Sequence, residues 1–586
     1  MMKKQFIKII LFVLSIVMVS CSLEPQIDNT FGGDFAFTNP ESMEGFLLNA
    51  YGNIPNTITD EFGGDFLDAA TDNAVSNEFG NGVYRLGSGG LTPNTTPLNR
   101  WNRSYTQFRN IHIFLENGLS DNVKYSILSE EQDALKRKNL KGEAFFLRAW
   151  WGFQLLQVYG GKTADGRALG YPIVTGSLLD EDSQDLENTR RNTYVECVDQ
   201  ILKDIDSAYA NLPFVYSGND PVLGNSNIGR ADGQSSLALK SRVSLYAASP
   251  AYQPDTIITI SGMGQYSVTN QAAYTNKWRT AAIHAQEAID EIGIFTSLSE
   301  ADFNSNNTPN EFIFRTYHGG SNLEDTNYPV VDFGAARTGP SQNLVDAFYS
   351  ANGYPIEDPR SGYDASNPYD NRDPRLYLNV LYNDREFNNR NLEIYEGGVD
   401  SRSIFPNNTR TGYYVRKWMS LAPGLNDVDA PGGDRHYNPH LRKTELYLNL
   451  AEAANEAYGP LGTGDGVAQT AVDIIKEIRT KAGISDNTYV DEIATLGKDA
   501  FRTLIYNERR LELAFENHRY FDLRRALLPL NETVKGVKVI KNDDGSFQYE
   551  TFDLEPRNFN DIKYYYAPLP YDELIKSPNL VNNLGW

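Results

Sequence analysis

Apolar residues recur at helical spacing along much of this chain. Val195, Val198, Leu202, Ile205, Tyr209 and Leu212 fall on one face. So do Trp278, Ala281, Ala282, Ala285, Ala288, Ile289 and Ile292. The pattern returns at Tyr447, Leu450, Ala451, Ala454 and Tyr458, and again at Ala468, Ala471, Val472, Ile475, Ile478 and Ala482. Leu140 to Tyr159 is apolar on most sides, which predicts a buried helix. Further helices are predicted near 40–52, 99–118, 230–249 and 498–517. Many of these faces use Ala, which lets helix axes approach closely. Short Ala-lined helices joined in pairs predict a mainly α fold, an α-α superhelix of tetratricopeptide-like pairs. No sequence repeat of tetratricopeptide length is visible, so the comparison is architectural.

Between about 293 and 440 the pattern breaks. Gly, Pro, Asn, Asp and Tyr dominate and apolar runs are short, with a strand predicted at Glu311–Phe314. This predicts a loop-rich, ligand-binding subdomain inserted between helical scaffold segments of about 40–292 and 441–525. Loops carried on a rigid scaffold are where binding sites concentrate.

The N-terminus is of a different kind. Lys3, Lys4 and Lys8 precede an apolar run from Ile9 to Val19. That run suits a signal sequence and is too short for a span, which needs roughly 20 apolar residues. Ser20-Cys21 follows, a small residue before Cys as a lipoprotein signal peptidase accepts; Met18 stands where Leu is usual. The expectation is a signal peptide over 1–20, lipidation at Cys21, and anchoring of 21–586 to a membrane through that lipid. The alternative is an ordinary secretory signal with a chance Cys. There are 2 cysteines, so a lipidated Cys21 leaves Cys197 without an intramolecular partner, and the core must supply the stability.

Net charge is -23. This argues against nucleic acid and anionic lipid surfaces as partners, since both demand basic patches. Aromatic residues make up 12% of the chain, including 35 Tyr, more than an ordinary core needs, so some rings are expected at the surface.

Catalytic chemistry finds little support. Glu508, Glu512 and Glu516 form one row on a predicted helix, beside Arg509, Arg510, Arg519, Arg524 and Arg525. Glycoside hydrolysis needs two carboxylates on opposite sides of a sugar, so the row predicts a partly buried ion-pair network instead. His436 and His440 are separated by Pro439, which disfavours the helical metal pair. No nucleophile elbow, zincin motif or Walker loop occurs. A hydrolase using acids such as Asp373 or Glu445 is the weaker alternative.

The most specific signal is Asn507-Glu508-Arg509-Arg510-Leu511-Glu512-Leu513-Ala514-Phe515-Glu516-Asn517-His518-Arg519-Tyr520-Phe521-Asp522-Leu523-Arg524-Arg525. It resembles the signature of the SusD/RagB family of outer-membrane nutrient-binding lipoproteins. Gly142 to Ala149, Arg372-Asp373-Pro374-Arg375, Leu441 to Ala453 and the ending Asn582-Asn583-Leu584-Gly585-Trp586 resemble further family landmarks, in the family's order. The resemblance implies tetratricopeptide-like helix pairs carrying an irregular ligand-binding part. It implies a non-enzymatic lid over a SusC-type TonB-dependent transporter in the outer membrane; the residues themselves offer no motif for a cofactor or a metal. Its ligand would be an oligosaccharide or, in the alternative, a peptide.

Family ligand sites draw on an N-terminal loop, the start of the next helix and later loops. Carried over, these are Asp72, Asn73, Arg85, Trp101 and the stretch holding Tyr317, Tyr328 and Phe333. Sugar sites need flat rings with Asp, Asn and Arg around them, which these residues supply. Trp101 has two readings. It shares a helical face with Tyr105, Phe108, His112 and Leu115, which suggests core, yet it stands in a first turn, from which a ring can project.

Overall fold

The computed structural model describes residues 37–55, 61–177, 188–254, 257–260, 264–266, 271–305, 308–318, 323–421 and 434–586. Cys21, the signal-like stretch and Gly319-Gly320 lie outside them. Among the described residues, no helix is long and apolar enough to cross a membrane.

The chain opens with α1 (Pro40–Gly52), then β1 (Ala74–Ser76), the short α2 (Gly82–Gly87) and α3 (Trp101–Ile113). Four longer helices follow: α4 (Glu130–Tyr159), α5 (Tyr194–Asn211), α6 (Gly233–Ala248) and α7 (Gln271–Ile292). An irregular part holds β2 (Phe312–His318), β3 (Thr338–Pro340), the small hairpin β4 (Glu386–Phe387) and β5 (Arg390–Asn391), and β6 (His436–Arg442). Helices resume with α8 (Lys443–Tyr458), α9 (Ala471–Lys481), α10 (Thr488–Thr495), α11 (Lys498–Glu512) and α12 (Arg519–Arg525). The hairpin of β7 (Val534–Lys541) and β8 (Phe547–Glu555) completes the set.

Local sequence explains the helix starts. Ser129 caps α4, while Thr193 with Glu196 and Thr470 with Asp473 form reciprocal capping boxes on α5 and α9. Each long helix packs on its neighbour in sequence, α4 on α5, α5 on α6 and α6 on α7. The series then passes from α7 to α8 across the irregular part, and from α8 to α9 and α11. This is a tetratricopeptide-like stack, as the apolar patterning predicted. Small residues set its tightness. Ala281, Ala282, Ala285 and Ala288 on α7 and Ala451 and Ala454 on α8 are buried. On α4, a Cβ at Gly152 would lie 2.5 Å from the Tyr171 hydroxyl and 3.2 Å from Ile201, so the contact admits only glycine.

Residues 293–440 hold short helices at Leu323–Asn327, Gln342–Ala347 and Pro374–Asn379 among paired strands. One expectation is corrected: the carboxylate row is broken. α11 ends at Glu512, and Phe515 (φ 58) and Asn517 (φ 64) are left-handed, so Glu516 leaves the helix. The three glutamates are ion-paired, but not with the arginines beside them in sequence. Glu508 meets Arg479 (2.7 Å) and Arg375 (3.0 Å), Glu512 meets Arg442 (3.0 Å), and Glu516 meets Arg442 (2.7 Å) and Lys417 (2.6 Å). Arg509 and Arg525 instead serve Asp522 and Glu452.

Candidate functional site

The 507–525 signature holds the N-terminal loop. Arg510 and Arg519 clamp the Asp72 carboxylate at 3.0 and 2.8 Å, and Arg510 also donates to the Asn73 side chain at 2.7 Å. Burial alone would push the Asp72 carboxyl up, but the two guanidiniums overcome it and hold it well below the usual range. Asn73 donates to Asp68, whose carboxylate also accepts from the Phe515 N–H. Arg557 donates to the Ala69, Thr71 and Ala74 carbonyls. Asp72 and Asn73, carried over as ligand contacts, are thus turned into the fold with their polar groups committed.

Two other expected contacts are buried as well. Trp101 packs edge-to-face on Tyr159 and against Tyr105, both at 5.3 Å, so core packing is the reading the structure gives. Tyr328 lies under Phe387 (5.1 Å) and donates its hydroxyl to the Ser420 carbonyl. Arg85 is exposed on α2. Tyr317 and Phe333 are also exposed, at 51% and 53%. Phe333 follows a single helical turn in a left-handed conformation (φ 63), uncommon for a residue with a bulky side chain.

Tyr317 belongs to a cleft of about 670 Å³ between the end of α1, the turn before α6 and the β2–β6 pair. Antiparallel register places Tyr437 directly opposite Tyr317, with ring centres 5.8 Å apart. The Arg315 guanidinium sits 4.9 Å over the Tyr437 ring. Across the cleft, Tyr51 accepts a hydrogen bond from the Ala231 N–H, and Arg230 is held by Glu143 (2.8 Å) and Glu44 (2.7 Å). One terminal nitrogen of Arg230 has no hydrogen-bond partner among the described residues. Leu48 and Ile228, each about half exposed, complete the walls. The arrangement is rings beside guanidiniums, which suits a ligand with apolar faces and hydroxyl edges. Sequence reasoning missed Tyr437, Arg315, Arg230 and Tyr51. Only strand pairing joins the first two to Tyr317, and no local motif marks the others.

A second group of exposed rings lies where β1 pairs with β3. Phe79 is 56% exposed, meets Tyr84 edge-on at 5.0 Å and has the Arg410 guanidinium 4.8 Å above it. The Asn77 N–H donates to the Arg337 carbonyl, and Glu78 pairs with Arg337, which brings this loop beside the turn of Phe333. The intervening segment is tied down by Asn81 donating to the Phe62 carbonyl and Asn327 donating to the Gly64 carbonyl.

Beneath this junction Asp65 accepts from Ser76 (2.7 Å) and Thr338 (2.9 Å), and burial pushes its carboxyl up to about 7. A folded-state value above the unfolded one means a contribution to stability that is full below the unfolded pKa and lost as pH rises through about 7. Asp65→Asn does not titrate. Its stability relative to the native protein is expected to improve between about pH 5 and about pH 8, by about 2–3 kcal/mol. Denaturant unfolding at the two pH values checks this, and a pH-independent difference would contradict it.

The acids considered for hydrolysis are taken up by ion pairs, Glu445 with Arg242 and Asp373 with Arg375 at 2.7 Å. Among the described residues no group of three or more His, Cys, Asp or Glu side chains is placed to hold a metal ion.

Comparison with known proteins places this geometry. The profile described as "SusD family" matches residues 297–586, and the one described as "Starch-binding associating with outer membrane" matches residues 47–224. SusD-like protein P2 of Formosa agariphila is 23% identical over 461 residues, covering 78% of this chain and 75% of that protein. A SusD-like protein of Bacteroides fragilis superposes with a TM-score of 0.70 at 23% identity, over 95% of this chain and 99% of that one. A laminarin-binding SusD-like protein superposes with a TM-score of 0.58 at 19% identity, over 94% of this chain and 100% of that one. With both family profiles matched in order and the same fold over nearly the whole length, the chain belongs to the SusD/RagB family.

Proposed function

We propose that this protein captures oligosaccharides at the outer membrane, anchored through a lipid on Cys21, and passes them unaltered to a SusC-type TonB-dependent transporter. The observation that carries the reading is the Tyr317–Tyr437 cleft, where rings stand beside Arg315 and Arg230 at the surface. Stacked C–H faces and hydrogen-bonded hydroxyls are what such a lining rewards. Phe79, Phe333 and Arg85 extend the exposed set along the neighbouring loops. The family's starch-binding description and the laminarin-binding relative support a carbohydrate ligand.

A peptide ligand is the second reading, favoured by Leu48 and Ile228 in the cleft wall and by the net charge of -23. The charge favours cationic peptides, which Arg230 and Arg315 at the cleft itself would repel, so the oligosaccharide is preferred.

The reading is tested with Cys21→Ala. The variant is expected to bind oligosaccharide in solution as the native protein does, but to leave the membrane fraction and fail to support uptake from dilute medium. Native protein drawn from outer membranes should bring a large barrel protein with it. Recovery alone in the inner membrane, or a blank glycan panel beside measurable peptide affinity, would sink the proposal.

A further inference from the structure

A larger cleft, of about 950 Å³, lies between the 365–370 loop, the turn leading into β4 and the tip of the β7–β8 hairpin. It is separate in lining from the Tyr317 cleft. The β4–β5 hairpin connects it to the exposed rings described above: Asn388 and Arg390 bond to Asp332, next to Phe333, while Glu386 lines the larger cleft.

Its lining is built around tyrosines. The Tyr382 ring lies flat on Tyr369, with centres 4.0 Å apart and planes 22° from parallel. Tyr549 meets Tyr369 edge-on at 5.4 Å. Tyr369 is buried and its hydroxyl is bonded to Tyr413, so it acts as a backing. Tyr382 is only partly buried and lines the cleft, braced from behind by Tyr369 and with the Arg385 guanidinium 5.7 Å from its ring centre.

Asn383 supplies the directional element. It is 2% exposed and lines this cleft. Its side-chain oxygen accepts from the Ile394 and Tyr395 N–H groups at 3.0 and 3.1 Å, which fixes the orientation of the amide. The amide nitrogen is left without a well-formed hydrogen bond, beside the Tyr549 phenol. That nitrogen is closed to solvent, so it orients the Tyr549 phenol and does not meet a ligand itself. Tyr549 is only partly buried and lines the cleft, so its hydroxyl is the group that can pair with a ligand hydroxyl.

Charge selects among ligands. Asp370, Asp384 and Glu386 are exposed around the cleft. The one lining guanidinium, that of Arg385, is spent on the Tyr377 and Val380 carbonyls and faces Glu300 at 3.8 Å. Acidic or sulfated sugars would meet carboxylates with no free cation. We infer that this cleft is a second binding site, for a neutral oligosaccharide, with Tyr382 as the stacking platform and Tyr549, oriented by Asn383, as the hydrogen-bonding group.

The inference rests on the carbohydrate reading of the first site only for the choice of probe. The full chain is titrated calorimetrically with a panel of neutral oligosaccharides and one sulfated oligosaccharide. The background is Tyr317→Ala/Tyr437→Ala, which removes the paired rings of the β2–β6 wall of the first site. Residual binding of a neutral oligosaccharide is expected, weakened at least about tenfold by Tyr382→Ala. Gln548→Trp is the second variant. Gln548 is exposed and lines the cleft, so added bulk there narrows it by a route independent of how well Tyr382→Ala folds. Native binding that vanishes in the Tyr317→Ala/Tyr437→Ala background would overturn the second site and leave the first standing. So would residual binding unmoved by both cleft variants. Preference for the sulfated probe would overturn the assigned ligand class. A native protein that binds no member of the panel would overturn both sites together.

Discussion

Arg442→Met is expected to cost the folded protein about 3–5 kcal/mol, the loss typical of breaking a buried ion network from one side. Arg442 closes β6, the strand that carries Tyr437, and only 2% of its side chain is exposed. Its guanidinium reaches Glu311 (3.2 Å), Glu512 (3.0 Å) and Glu516 (2.7 Å), and so ties β2, α11 and the turn after α11 together. Met fills the volume of the stem but leaves these carboxylates undercompensated. Lys417 still serves Glu516, and Thr444 still donates to Glu311. The sign of the pH dependence follows. Burial raises the Glu516 carboxyl, but Arg442 and Lys417 outweigh it and hold it down to about 2, so its contribution is full above the unfolded value and lost as pH falls through about 2. Without Arg442 the burial cost dominates and the folded-state values of Glu311 and Glu516 rise. The variant's deficit should therefore shrink as pH falls from about 7 to about 5. Urea unfolding of both proteins measures it. A deficit below about 1 kcal/mol, or one that does not shrink, would show that Arg442 is not the keystone of this network.

The same network shows where sequence reasoning stops. The helices were legible because each buries an apolar stripe at helical spacing, and α5, α7, α8 and α9 occupy the stretches the spacing predicted, although Val195 and Tyr209 at the ends of the α5 stripe are exposed. The end of α11 was not. Phe515 and Asn517 adopt left-handed backbone without a glycine, so Glu516 reads as the next turn of a helix it has already left. The partners of Glu508, Glu512 and Glu516 lie on Arg375, Arg442, Arg479 and Lys417, and no local pattern encodes pairing at that distance. The β7–β8 hairpin left a usable signal, alternating Val534, Val537 and Val539 before the turn residues Asn542 to Gly545. For the candidate site the difficulty is different. Tyr328 and Phe333 are five residues apart in one irregular segment, and composition does not say which ring faces inward. The fold decides: the Tyr328 hydroxyl finds a carbonyl partner inside, whereas Phe333 is turned out by its left-handed backbone. Asp72 and Trp101 matched family positions, yet here the first is a counter-ion for Arg510 and Arg519, and the second packs against Tyr159.

Tyr317→Ala/Tyr437→Ala is expected to weaken oligosaccharide binding at the first site about a hundredfold, or about 3 kcal/mol, while leaving the fold intact. Each ring is replaced by a methyl group, so a ligand loses both stacking faces at once. The Arg315 guanidinium, now 4.9 Å over Tyr437, loses the surface that holds it at the cleft. Thermal stability should change little, because Tyr317 is 51% exposed and Tyr437 is only partly buried. The opposite pattern is expected for Trp101→Ala, which empties a buried ring site beside Tyr105 and Tyr159 and should cost about 3–5 kcal/mol. The contrast separates the two roles. A ligand ring is read in affinity at constant stability, and a core ring is read in stability. Calorimetric titration and denaturant unfolding of both variants, on the same protein preparations, give the two numbers for each. Affinity of the tyrosine variant at the first site within about threefold of the native value would remove the cleft from the binding mechanism.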